Sequence, residues 1–283
     1  MATPKGVARS VLKIAAMGIL AAMIAVVAGG VWSGLLLANL QTNPKVPWSV
    51  AAMAILLWTA WMYLGGHGWP PSTSNARREH LRAYRRPWRV FAWAGVAGGL
   101  AVASLAGLWI VLFQLVRMPR NALPDFSAYP RLTILLMILM GSIVAPLMEE
   151  AAFRGYFQVT LERSVRSPVL VVGISSLLFA LVHGPTQGFL WPKLLFYFLV
   201  GITFGAIAYL TKSILPAIPV HCVGLFVFFM WIWPHDPQRQ NILASGADKW
   251  FWIHLAQTIA FSSAAIWAFV QLGRVSAMRA KDG

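Results

Sequence analysis

Long apolar runs separated by short polar connections dominate the chain. They cover about Val11–Leu40, Val46–Gly65, Val90–Val116, Leu132–Met148, Val169–Val182, Leu190–Leu210, Ile214–Trp233 and Trp250–Leu272. Crossing hydrocarbon takes roughly 20 mostly apolar residues per helix, because every backbone amide must find its partner inside the helix. The pattern predicts an all-α integral membrane protein of about eight transmembrane helices. The first run follows Lys5, Arg9 and Lys13 in the manner of a signal peptide. Its apolar core is too long for one, and no A-x-A pattern closes it, so a retained anchor is expected.

Composition agrees with the pattern. With 59% hydrophobic and 11% charged residues among 283, the chain has too little polar surface to cover a water-soluble globule of its size. The formal charge of +15 would point to nucleic acid in a soluble protein, but here its distribution matters more than its size. With the N-terminus cytoplasmic, the inner side collects Lys5, Arg9, Lys13, Arg77, Arg78, Arg82, Arg85, Arg86, Arg89, Arg154, Arg163, Arg166, Lys212, Arg274, Arg279 and Lys281. The outer side keeps Lys45, Arg117, Arg120, Arg131, Lys193, Arg239 and Lys249. That bias places both termini in the cytoplasm and implies no nucleic-acid partner. The arginines of 77–89 are expected to lie against anionic lipid headgroups. Trp48, Trp69, Trp88, Trp191, Trp231, Trp233 and Trp250 fall near span ends, where the indole suits the interface. Cys222 stands alone, so there is no disulfide framework and no C-x-x-C metal knuckle.

Three parts are read along one membrane domain. They are the helices of 1–130 with their basic loop, a core over 131–235, and a last helix with a basic tail over 236–283.

Ionisable groups inside apolar spans are costly, so each marks a candidate site. Glu149, Glu150, Arg154, His183 and His221 stand out. Glu150 and Arg154 share a helix face at i,i+4 and can neutralise each other, leaving Glu149, about 100° away, without a local partner. Counted from their cytoplasmic ends at about 1.5 Å per residue, Glu149, His183 and His221 lie roughly 21, 22 and 14 Å deep. This requires the fourth helix to run past Met148 to Leu161, with a kink expected at Pro146. A carboxylate and two imidazoles at such depths can activate water and stabilise an oxyanion, or can bind zinc. No H-E-x-x-H pair separates these cases. His235 and Asp236, in W-P-H-D-P, read as a turn. His67 lies in a connection, and His254 reads as structural.

The motifs E-E-A-A-F-R at Glu149–Arg154 and F-A-L-V-H at Phe179–His183, followed by I-L-P-A-I-P-V-H ending at His221, resemble the CAAX prenyl protease and bacteriocin-processing (CPBP, or Abi) family of intramembrane proteases. The resemblance implies helices enclosing a membrane-embedded polar cavity and an endopeptidase acting on a membrane-anchored protein or peptide, prenylated (CAAX-type) or not, in the plasma membrane of a bacterium. It further implies Glu149 as the base that activates water, assisted by His183, with His221 stabilising the oxyanion or ligating a metal, zinc being the candidate. Glu150 and Arg154 would hold the helix geometry. The chain departs from the family at Leu225, where an Asn or Asp commonly stands four residues after the third motif's histidine. A donor supplied instead by Ser175 or Ser176, a catalytically impaired relative serving in binding or immunity, and a transporter are the alternatives.

Overall fold

A computed structural model describes residues 4–116, 118 and 126–278. The described residues are helical throughout, with connecting loops and no strand. The chain runs through α1 (Pro4–Thr42), α2 (Trp48–Leu64), α3 (Ser74–Leu81) and α4 (Trp88–Leu115). A long composite helix follows, built from α5 (Arg131–Glu149), a π-helical segment (Glu150–Phe157) and α6 (Gln158–Ser164). Then come α7 (Pro168–Gln187), α8 (Trp191–Thr211), α9 (Ala217–Val227), which continues as a π turn (Phe228–Ile232), α10 (Ile242–Ser245) and α11 (Lys249–Met278). Seven of these helices are long and apolar enough to cross a membrane; the 17-residue Trp48–Leu64 is apolar but shorter. The protein is a multi-pass integral membrane protein.

Proline sets most helix starts. Pro47, Pro87 and Pro130 immediately precede α2, α4 and α5, and Pro168 occupies the first turn of α7, where its missing N–H costs nothing. Ser167 caps α7, its hydroxyl accepting from the amide of Leu170. Past Pro146 the helix continues. Instead of ending, it changes register at Glu150 to i→i+5 bonding, and this π segment carries all of the E-E-x-x-x-R motif after its first glutamate.

Close packing between helices relies on small and polar residues, because lipid is as apolar as leucine and offers no hydrophobic drive to associate. Gly201 and Gly205 of α8 form a G-x-x-x-G pair against α7 and the composite helix: a Cβ on Gly201 would come within 2.7 Å of the Ser176 Cα. Helices α4 and α11 pack along their length. There Ser104 donates to the Thr258 carbonyl and pairs with the Ser262 hydroxyl, and Gln257 donates to the Ala103 carbonyl.

The end of the bundle that holds α3 is closed by charged side chains. Arg82, 6% exposed, grips Glu162 through two hydrogen bonds at 2.9 and 3.0 Å and donates to the Ala208 carbonyl. Lys212 joins Glu162 at 2.9 Å. Arg86 donates to the Lys212 carbonyl, and Ser213 to that of Tyr84. Arg77 is buried over the Tyr63 ring and bonded to the Gly68 carbonyl. Within the 77–89 cluster Arg77 and Arg82 are thus buried in contacts with the protein, and Arg78, Arg85 and Arg89 are the exposed members. Arg117, Arg120, Arg279 and Lys281, counted in the charge asymmetry, lie outside the described residues.

Candidate active site

The three motif helices bring Glu149, Glu150, Arg154, His183 and His221 together. Glu150 is fully buried, and its Oε1 lies 3.2 Å from Nη1 of Arg154 and 3.0 Å from Nδ1 of His221. Arg154 is 1% exposed and also donates to the Gly201 carbonyl at 3.3 Å. Its guanidinium sits 4.4 Å over the Phe179 ring. A buried cation and a buried anion thus neutralise each other, and an aromatic face covers the cation's remaining surface. Arg154 belongs to this buried cluster, not to the inner-face charges with which its sequence position groups it.

The hydrogen bonds of the two imidazoles assign their tautomers. His183 places Nδ1 2.8 Å from the Phe179 carbonyl, which can only accept, so Nδ1 carries the proton. His221 directs Nδ1 to the Glu150 carboxylate, again an acceptor. Both rings therefore turn Nε2 toward Glu149. His183 Nε2 lies 3.7 Å from Oε1 of Glu149, and His221 Nε2 lies 3.7 Å from Oε2. These separations are too long for direct hydrogen bonds. They suit groups that act through a shared proton or a water molecule. Glu149 and His183 keep partial exposure, 15% and 19% for their side chains, while Glu150 has none.

Aromatic plates fix both rings. Tyr197 stacks on His183 at 4.2 Å between centroids and 17° between planes, and Phe204 stacks on His221 at 4.2 Å and 14°. The first residue of F-x-x-x-H ties the motif helices together: the Phe179 carbonyl accepts from His183, its ring tilts against that imidazole at 4.5 Å, and its face receives Arg154.

Glu149, His183 and His221 line a cavity of about 1490 Å³, together with Phe179, Tyr197, Phe204 and Leu225. Leu225 therefore borders the space in which the family's usual Asn or Asp would stand. Ser175 and Ser176 do not replace that residue. Both are buried, with their hydroxyls donated to the carbonyls of Phe153 and Val172. Asp236 is more than part of a turn: it accepts from Nε1 of Trp109 at 2.8 Å and Nε of Arg239 at 2.9 Å, and it lines the same cavity. His254 pairs with Gln257 in α11, as its structural reading expects, and His67 is exposed in its connection. Tyr197, Phe204 and Gly201 are absent from the candidates read out of the sequence. Only the G-x-x-x-G spacing of Gly201 and Gly205 offered a signal for α8. Among the described residues no group of three or more His, Cys, Asp or Glu side chains stands at metal-holding distances.

No curated protein and no solved structure gives a match to the chain. The family model that does match is described as type II CAAX prenyl endopeptidase Rce1-like, and it covers residues 131–227, which take in all five clustered side chains. Over residues 131–227 the chain is thus similar to the Rce1-like domain of type II CAAX prenyl endopeptidases.

Proposed function

We propose that this protein is an intramembrane endopeptidase that hydrolyses a peptide bond of a membrane-associated protein or peptide, in the plasma membrane of a bacterium. The observation that carries the reading is the convergence of two Nε2 atoms on the two oxygens of one carboxylate, at 3.7 Å each, inside a cavity.

Glu149 takes a proton from water as the water oxygen bonds to the scissile carbonyl carbon. The carbonyl π electrons move to oxygen, giving a tetrahedral oxyanion. In its doubly protonated form His221, held at Nδ1 by the Glu150 carboxylate, donates a hydrogen bond from Nε2 to that oxyanion. Collapse re-forms the carbonyl and breaks the C–N bond, and the proton held between Glu149 and His183 passes to the departing amine. Glu150 and Arg154 position His221 and the helix without touching substrate. No step is assigned to a metal ion, since Glu149, His183 and His221 do not stand at metal-holding distances. The exposed Arg78, Arg85 and Arg89 suit anionic headgroups at the bundle's basic end.

One observation favours a second reading. Leu225 puts an apolar side chain on the cavity wall one turn after His221, in the place of a polar residue that would assist the oxyanion. A chain lacking that help can serve as a binding or immunity protein. Incubating detergent-purified protein with a quenched library of membrane-tethered peptides, prenylated and not, decides between the two readings. Cleavage supports the protease, and the same assay with chelator reads metal dependence. Capture of a peptide without turnover supports the binder.

A further inference from the structure

The cavity opens at one end of the bundle and is shut at the other. Its lining includes Thr186 at the end of α7, together with Gln240, Ala244 and Ser245 of the segment leading into α11, all four exposed. It also includes exposed Gly99 of α4 and Val223 of α9, two helices that pack closely where Gly98 meets Val220 and Gly224 meets Val102. At the far end lies the closure built from Arg82, Glu162, Lys212 and Arg86, in which Arg82 also accepts through its own carbonyl the amide proton of Ile214. None of those four side chains lines the cavity.

The two ends differ in cation content. Following the helices through the bundle, the closed end carries Arg9, Lys13, Arg77, Arg78, Arg82, Arg85, Arg86, Arg89, Arg163, Arg166, Lys212 and Arg274. The open end carries Lys45, Arg131, Lys193, Arg239 and Lys249 among the described residues. Lys and Arg in short loops and flanks are retained on the cytoplasmic side during insertion, and twelve against five is a strong bias. A closed end on the cytoplasmic side leaves the mouth on the other.

We infer that the active site is served from the non-cytoplasmic face, so that its substrate is a peptide or protein tail presented to the membrane from that side after export. This rests on the endopeptidase reading for the nature of the substrate, while the direction of access stands on geometry and charge alone. A prenylated tail attached to the cytoplasmic leaflet would face the Arg82–Glu162 closure instead of the mouth. An exported tail meets the exposed Thr186 and Ser245 rim.

Single-cysteine labelling of the full chain in sealed spheroplasts tests the direction of access independently of turnover. In a Cys222→Ala background, Ser245→Cys places a thiol at the mouth and Ser72→Cys places one in the exposed connection of the closed end. A charged maleimide added outside should label Ser245→Cys at least about tenfold more than Ser72→Cys, because the bilayer excludes the charged reagent. Both should label fully once the membrane is permeabilised, and Ala244→Cys repeats the test with a second rim position. Preferential labelling of Ser72→Cys, or no difference between the two before permeabilisation, would overturn the inference. Peptide cleavage, scored separately on purified protein, reads the chemistry, so failure of one account is not mistaken for failure of the other.

Discussion

His221 turns Nδ1 to the buried Oε1 of Glu150 at 3.0 Å and thereby presents Nε2 to Glu149, so one glutamate of the E-E pair aims the histidine that works with the other. The two adjacent carboxylates sit in different surroundings. Glu150 is enclosed with Arg154 and His221, and Glu149 borders the cavity.

That division predicts separable effects. Glu150→Gln leaves Arg154 as a buried cation without its anion and should lower the unfolding free energy by about 3–5 kcal/mol. Glu149→Gln should change stability by less than about 1 kcal/mol, since it strips no buried cation of its only partner. Thermal unfolding in detergent micelles measures both, and equal losses in the two variants would contradict the assignment.

Gly201 joins packing to the site. A methyl group there meets the backbone of Ser176, and the Gly201 carbonyl accepts from Arg154. Gly201→Ala should cost about 1–3 kcal/mol through forced separation of α7 and α8. It should also lower kcat with little change in KM, because Arg154 shifts with α8. A kcat unchanged beside a lowered midpoint would show that α8 supports the fold alone.

The spans were legible because apolar runs of this length admit few other structures, and the site residues were legible because charge inside such runs is rare. The i,i+4 pairing of Glu150 with Arg154 read from the spacing is present in the structure. A count of arginines by position misplaced Arg82, which it treats as a surface charge although Glu162 holds it in the interior. Depth counted along straight helices left His221 somewhat shallower than Glu149 and His183, and the structure brings the three groups together. The register change at Glu150 left no trace in the apolar pattern, which reads the same for α and π geometry over eight residues. The Tyr197 and Phe204 plates were invisible because an aromatic residue in an apolar helix signals packing in general and no particular partner.

Outside the spans, His80 is buried against Tyr156 with its Nδ1 on the Ala76 carbonyl. Burial, with Arg163 and Lys13 nearby, holds its imidazole below the usual histidine range. A depressed histidine favours the neutral ring when folded, so the unfolded chain binds the extra proton as pH falls through about 6.5. Stability should therefore be unaffected by this residue above neutrality and should decline between about pH 7 and pH 5. His80→Gln should flatten that decline in melting curves taken across the range, and an unaltered slope would place its origin elsewhere.

Leu225→Asn places a hydrogen-bonding side chain on the cavity wall one helical turn beyond His221. An added donor near a developing oxyanion should raise kcat by about tenfold or more. Steady-state kinetics on the same peptide before and after the change gives the answer. No gain would mean that the oxyanion lies away from this turn of α9.

The most direct test of the account is cleavage of the membrane-tethered peptide library by wild type and by Glu149→Gln, purified in the same detergent and matched for thermal midpoint. The account predicts that wild type cuts at least one member and that the substitution slows this cleavage by about 10²–10⁴-fold, the usual worth of a general base. A Glu149→Gln protein that cuts as fast as wild type would contradict it, as would wild type and Leu225→Asn proteins that both leave every peptide intact.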